Sequence, residues 1–384
     1  IILALFLLTG SVLLWDVTHQ KISIDEAESP TSASGSGEWL IWIEDSGQEI
    51  SITATNVISK TNRTLGGMTW ESQPQVVSSG NSFVVYDEFR VDYFRHDSEA
   101  GILEPIFSEY SAESLIDISI SSSSINTGYI AMLSNESLRI VDTSDQSTRI
   151  LESVPNSSVV ASSGPLVAFS ANTPSGPTVN ITSADSDLTL TILLDPRSSE
   201  GIEESIRNSG TLLDFGNSTI VELVMDSNWL VATVDVGPFN RTIMVDTSSI
   251  NQTLISNPRW DSSSPSIGEG KVAFLQVTRD SIISTSQDSL RNNDVYVYYI
   301  ESAETRQHTF DDDVDQFQPQ ILQDRLAWIE VNDQGEKQLL VYSFIDTIEP
   351  RNSLLLQASI LAMIPLIFLW TLQSYGAKIV TQRV

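Results

Sequence analysis

The chain has 384 residues, with 50 Asp and Glu against 20 Lys and Arg, a formal net charge of −30 and no cysteine. That balance repels phosphate backbones and anionic head groups, which excludes a nucleic-acid partner; the missing cysteines exclude disulfide staples, zinc thiolates and cysteine nucleophiles. Hydrophobic content of 41% and eight tryptophans suffice for one large folded domain or two ordinary ones.

Residues 1–15, "IILALFLLTGSVLLW", are uncharged and apolar. They read as an N-terminal transmembrane anchor or as the apolar core of a signal peptide. No A-x-A cleavage site or lipobox cysteine follows, which favours the anchor. Residues 18–25, "THQKISID", alternate Ile22 and Ile24 with polar residues, which predicts a short strand.

From there an apolar run recurs seven times. The runs are "WLIWIED" from Trp39, "FVVYDE" from Phe83, "YIAMLS" from Tyr129, "LVAFSA" from Leu166, "WLVATVD" from Trp229, "KVAFLQV" from Lys271 and "RLAWIEV" from Arg325. A small or polar turn residue precedes each: Gly37, Gly80, Gly128, Gly164, Asn228, Gly270 and Asp324. Short β-branched and aromatic runs between turn residues are strand chemistry. Their mean spacing, somewhat under about 50 residues, matches a four-stranded propeller blade. Between residues 16 and 350 only "SSEGIEESIR", 198–207, reads as helix.

The clearest unit starts at Pro265. It predicts an inner strand over 265–268, a second over 271–277, a third over 294–301 and an outermost over 306–310. Pro265, Ile267, Ala273-Phe274, Asp294-Val295-Tyr296 and Thr309-Phe310 follow the repeat pattern of the TolB-like, or WD40-like, propellers, which the chain resembles. The resemblance is specific near residues 254–331 and looser elsewhere. It implies an all-β seven-bladed β-propeller and a habit of binding partners, and no catalytic residue. Pro30 aligns with Pro74 and Trp39 with Phe83, so Pro30–Ala33 becomes the first inner strand. The last blade has three strands, the third being "KQLLVYSF" from Lys337. Residues 18–25 are therefore expected to supply its fourth, beside Gln338–Phe344, since an unclosed propeller leaves two sheet edges open.

Residues 354–372, "LLLQASILAMIPLIFLWTL", carry no charge and as a helix span roughly 28 Å, a hydrocarbon core's thickness. Trp370 and Tyr375 suit an interface, and Lys378 and Arg383 follow in a tail without acids. The positive-inside rule places that tail in the cytoplasm and the propeller outside. The expected organisation is an anchor or signal over 1–15, a propeller over 16–346, a C-terminal transmembrane helix over 353–373 and a cytoplasmic tail over 374–384. Seven Asn-x-Ser/Thr sequons suit an exported domain: Asn62, Asn135, Asn156, Asn180, Asn217, Asn240 and Asn251.

Chemistry-bearing motifs are sparse. His19, His96 and His308 are scattered, and there is no nucleophile elbow, phosphate-binding loop or dinucleotide fingerprint. Asp311, Asp313 and Asp315 have the spacing that opens a calcium loop, but Gln316 stands at the glycine position and Leu322 at that of the bidentate glutamate. That segment is a solvated turn or an irregular calcium site. Glu71, Asp261 and Asp315 occupy equivalent loops ahead of inner strands. They either cap turn amides or form a carboxylate ring for a cation or basic partner. Trp39, Trp42 and Trp328 pack between blades or serve as an aromatic platform. No cofactor is expected apart from calcium. The expected role is an extracytoplasmic scaffold or accessory subunit of a cell-envelope complex, not an enzyme. Its partners are other membrane proteins, met on the face of second-to-third and blade-to-blade loops. The alternatives are a receptor or sensor for a small ligand or cation, and a hydrolase or lyase using channel carboxylates.

Overall fold

The computed structural model describes residues 21–23 and 29–344, apart from 46–48, 69, 71, 98–101, 111–112, 125–126, 136, 153, 155–156, 279–291, 310–313 and 333. The expected membrane spans lie outside the described residues, among which no helix is long and apolar enough to cross a membrane.

Strand β1 is Lys21–Ser23. Blade 1 is β2 (Pro30–Ser36), β3 (Trp39–Asp45), β4 (Ile50–Asn56) and β5 (Thr61–Met68). Blade 2 is β6 (Gln75–Ser79), β7 (Ser82–Tyr86), β8 (Arg90–Asp97) and β9 (Ile102–Tyr110). Blade 3 is β10 (Leu115–Ser124), β11 (Thr127–Ser134), β12 (Ser137–Asp142) and β13 (Thr148–Glu152). Blade 4 is β14 (Val160–Ser163), β15 (Leu166–Thr173), β16 (Gly176–Ser183) and β17 (Ser186–Leu193), followed by helix α1 (Glu200–Asn208). Blade 5 is β18 (Thr219–Asp226), β19 (Trp229–Asp235), β20 (Asn240–Asp246) and β21 (Asn251–Leu254). Blade 6 is β22 (Ser262–Gly268), β23 (Lys271–Thr278), β24 (Asn292–Tyr299) and β25 (Glu304–Gln307). Blade 7 holds β26 (Val314–Ile321), β27 (Arg325–Asn332) and β28 (Lys337–Ser343), and its sheet order is β1-β28-β27-β26.

Six sheets are thus built from consecutive strands, and the seventh takes its outermost strand from the front of the chain. Inner strands neighbour one another around the ring, and β26 returns to β2. The fold is all-β, a seven-bladed propeller. Each of the seven apolar runs is a second strand. Of the eight residues expected to supply a strand to blade 7, 21–23 form it and the other five lie outside the described residues. The outermost strand of blade 6 lies at 304–307, two residues ahead of its expected start, because the turn before it closes early through Ala303 at φ 52°.

The second strands read as continuous apolar runs because both faces are buried, as in any sheet packed on two sides. Successive side chains point to opposite faces. Trp39, Ile41 and Ile43 pack with Phe83 and Val85 of blade 2, while Leu40 and Trp42 pack with Leu322, Ala327 and Leu339 of blade 7. Ile130 and Met132 face blade 2, and Ala131 and Leu133 face blade 4. Leu230, Ala232 and Val234 face blade 4, and Val231 faces blade 6. The tight turns feeding these strands need left-handed backbone, supplied without steric cost by Gly37 at φ 59° and Gly164 at φ 53°.

Candidate functional site

Each inner strand has one edge bonded to its own blade and one facing the central channel. Alternate N–H groups on that free edge need partners. The preceding blade supplies them. Ser32, Ser34 and Ser36 of blade 1 accept from Val76, Ser78 and Gly80 N–H at 3.2, 2.9 and 2.7 Å. Ser79 accepts from Ser122 N–H at 3.0 Å. Asp117 accepts from Val160 N–H at 2.8 Å, and Ser163 from Ser227 N–H at 2.7 Å. Glu222 accepts from Ser264 N–H at 2.7 Å and Ser266 from Ile321 N–H at 3.0 Å. Gln318 and Gln320 close the ring on Ala33 and Gly35 N–H at 2.9 and 3.1 Å. All seven junctions therefore carry a side-chain-to-amide bond in the same rotational sense.

A recurrent backbone irregularity aims several of these side chains. The register of the inner strand with its neighbour shifts between Pro30 and Ser32, Leu115 and Asp117, Ile220 and Glu222, Ser263 and Ser266, and Phe317 and Gln320. A β-bulge bends the strand and re-aims the residue beside it. In these five blades the residue that ends the shift, Ser32, Asp117, Glu222, Ser266 or Gln320, is the one that bonds the next blade. Blades 6 and 7 build the bulge from a left-handed residue and a proline: Ser264 at φ 54° before Pro265, and Gln318 at φ 48° before Pro319.

Two of the bonding residues are carboxylates. Burial pushes Asp117 up to about 7, against the opposing pull of the Val160 and Ile118 N–H groups. Glu222 is also raised, first by burial and further by the charge of Asp261, while the Ser264 N–H lowers it. Burial and then the charge of Asp117 raise Tyr86, whose hydroxyl donates to Gln75 Oε1 at 3.0 Å.

At the C-terminal ends of the inner strands the channel opens into a cavity of about 240 Å³ to which all seven blades contribute. Its walls include Ser36, Ser79, Ser121 and Ser163, with Asp226 and Glu269 from blades 5 and 6. Ile120, Met225, Ile267, Ile321 and Leu322 form its apolar part.

The opposite face carries the second-to-third and blade-to-blade loops. There the Arg90 guanidinium lies 4.6 Å from the centre of the Trp70 ring and 5.6 Å from that of Tyr110, and pairs with Asp92 at 2.7 Å. Tyr110 is 68% exposed and neighbouring Phe89 38%. The excursion between blades 4 and 5 is pinned from below by Arg241, which is fully buried. Its Nη1 donates to Pro196 O and Glu203 Oε1 at 2.6 and 2.7 Å, and its Nη2 to Pro258 O at 3.0 Å.

Asp261 Oδ1 accepts from Asn240 N–H at 2.7 Å, and Asp315 Oδ1 from Asn293 N–H at 3.2 Å. Both acids thus lie at the N-terminal end of an inner strand and hold the start of the previous blade's third strand. Glu71, Asp311 and Asp313 lie outside the described residues. Among the described residues no group of three or more His, Asp or Glu side chains is gathered as a metal ion requires. His308 Nε2 lies 3.2 Å from the Tyr299 hydroxyl, and His19 lies outside the described residues. Trp42 and Trp328 are fully buried, their Nε1 groups donating to Glu44 and Glu330 at 3.2 and 3.1 Å. Of the sequons, Asn135, Asn217 and Asn251 are exposed. Asn62 and Asn180 are half-buried in strands, accepting from Thr55 and Thr191 at 2.7 and 2.8 Å. Asn240 is half-buried, and Asn156 lies outside the described residues.

Asp117 and Glu222 were not anticipated. Their signal is an acid set inside an otherwise apolar inner strand, "LIDISIS" and "IVELVMD".

Solved structures give the likeness. The β-propeller domain of the Trilobed protease from Pyrococcus furiosus matches at 10% identity and a TM-score of 0.55, covering 84% of this chain and 99% of that one. The WD40 domain of Toxoplasma gondii coronin matches at 9% identity and 0.53, covering 86% and 88%. The shared fold is the β-propeller. A puromycin-hydrolysing peptidase from Mycobacterium tuberculosis matches at 10% identity and 0.55, covering 83% of this chain and 51% of that one. Weaker matches, with TM-scores of 0.42 and 0.44, are the tricorn protease, of which the chain spans 28%, and a putative TolB from Agrobacterium tumefaciens, of which it spans 98%. The peptidase chains are thus about two to four times as long as the part this chain matches. At these identities the likeness is one of fold. No protein-family model and no curated protein matches the sequence.

Proposed function

We propose that the chain is a membrane-anchored propeller held outside the cytoplasm, where it serves as a protein-interaction scaffold or accessory subunit of a cell-envelope complex. The apolar segment 354–372 and its basic, acid-free tail support the anchoring and its direction. The observation that carries the interaction role is the Trp70–Arg90–Tyr110 stack with Phe89 beside it. Tryptophan, tyrosine and arginine dominate binding hot spots because they bury large areas at low entropic cost. Here they stand on a face stiffened by the bonds at the seven junctions and by Arg241, so little ordering opposes docking.

The test is copurification from native membranes with the wild type and with the Phe89→Ala/Tyr110→Ala variant. A protein retained by the wild type and lost by the variant supports the role; equal recovery contradicts it. Protease added to intact cells is expected to cut the propeller and spare a tag on the C-terminal tail. Cleavage of the tail alone would reverse the orientation.

A further inference from the structure

We infer that the cavity at the C-terminal ends of the inner strands is a binding site for a small neutral polyol of monosaccharide size. It lies on the face opposite the proposed docking stack and stands independently of that reading.

The chemistry follows from which hydrogen-bonding groups are already used. A serine hydroxyl offers one donor and two acceptor sites. Ser36, Ser79 and Ser163 each spend acceptor capacity on the next blade's N–H. None of the three donates to an acceptor among the described residues. Three O–H donors on blades 1, 2 and 4 are therefore left to face the cavity they line. Blades 5 and 6 contribute two carboxylates, Asp226 and Glu269, which only accept when ionised. Among the described residues the one side-chain bond to either is a long one from Ser227 Oγ to Asp226 Oδ1, 3.3 Å. Donors thus stand on one side and acceptors on the other, with Ile120, Met225, Ile267, Ile321 and Leu322 forming the apolar surface.

An anion is opposed by the two carboxylates. A cation is served by the carboxylates but gives the three serine O–H donors no acceptor. A neutral polyol satisfies both sides at once, because each of its hydroxyls donates and accepts, and the lining it meets is mainly polar. A volume of about 240 Å³ is of the size of one sugar ring.

The experiment uses the full chain in detergent micelles and isothermal titration with glucose, galactose, N-acetylglucosamine and myo-inositol. Putrescine and phosphate serve as charged controls. Binding of at least one neutral probe, insensitive to salt between 50 and 500 mM, is expected. The Asp226→Asn/Glu269→Gln variant, which leaves the junction bonds intact, should weaken it by about tenfold. The inference is overturned if all four neutral probes fail to bind, if putrescine binds with a salt-dependent affinity while they do not, or if the double variant binds a neutral probe as tightly as the wild type. A thermal melt of the variant matching the wild type ensures that a loss reports on the cavity; should the variant unfold early, Glu269→Gln alone, at an exposed turn residue, carries the comparison.

Discussion

The junction between blades 1 and 2 and that between blades 3 and 4 do the same job with different chemistry. In the first, Ser32, Ser34 and Ser36 accept three successive free-edge amides through neutral hydroxyls. In the second, one carboxylate, Asp117, takes Val160 N–H while Ser119 and Ser162 pair with each other at 2.9 Å. Hydroxyls hold an edge without titrating. A desolvated carboxylate holds it too, but its charge is opposed by burial. The first junction thus carries no titrating group and the second carries a carboxyl raised by burial, and blade 5 repeats the second solution with Glu222.

The strongest way to break this contrast is the triple variant Ser32→Ala/Ser34→Ala/Ser36→Ala. It strands three inner-edge amides and should cost about 3 kcal/mol or more, equally at pH 5 and pH 8, in denaturant unfolding. Asp117→Ala removes the side-chain acceptor of Val160 and Ile118 N–H and should cost about 1–3 kcal/mol at pH 5. The loss should be smaller at pH 8, because there the variant also removes a desolvated charge. A loss of equal size at both pH values would refute the assignment of a raised Asp117.

The wild-type pH profile sharpens the same point. The folded Asp117 titrates near 7, above the ordinary carboxylate value of 3.8. The folded state therefore holds a proton that the unfolded chain has released. Its stabilisation is complete below the ordinary value and is lost as pH rises through the folded value. Melting temperature should fall between pH 5 and 8, and Asp117→Asn should flatten that fall, with Glu222 contributing the remainder in the same direction. A profile unchanged by Asp117→Asn would count against it. The smallest effect belongs to Ser266→Ala, one neutral bond to Ile321 N–H, at about 1 kcal/mol with no pH dependence.

Why the blades were legible in the sequence and the junctions were not has a physical cause. Burial on both faces turns a second strand such as "WLVATVD" into an unbroken apolar run, which single-sequence pattern detects. The supplied strand is legible, over 18–25, through a missing partner, since "KQLLVYSF" has no fourth strand to pair with; the structure shows it at 21–23. The inner strands are different. Their free edge faces the channel, so serine, glutamine and acids belong there, and "ISISSSS" looks like loop. The bulges that aim Ser32, Asp117 and Glu222 depend on a backbone shift of one residue, which side-chain periodicity does not encode. Acids with a local role, Asp261 and Asp315, stood out through their place in the repeat; Asp117 and Glu222, inside apolar strands, did not. The Trp70–Arg90–Tyr110 stack is not legible either, since its residues come from three segments that blade 2 brings together.

Native-state hydrogen exchange on the inner-edge amides tests the ring most directly. Val76, Ser78, Val160, Ser264, Ile321, Ala33 and Gly35 N–H face a channel rather than a neighbouring strand, yet each should exchange as slowly as the ladder amides of the second strands. Exchange at the rate of open sheet edges would mean that the blades are held by their apolar faces alone and that the ring of side-chain bonds does not form in solution.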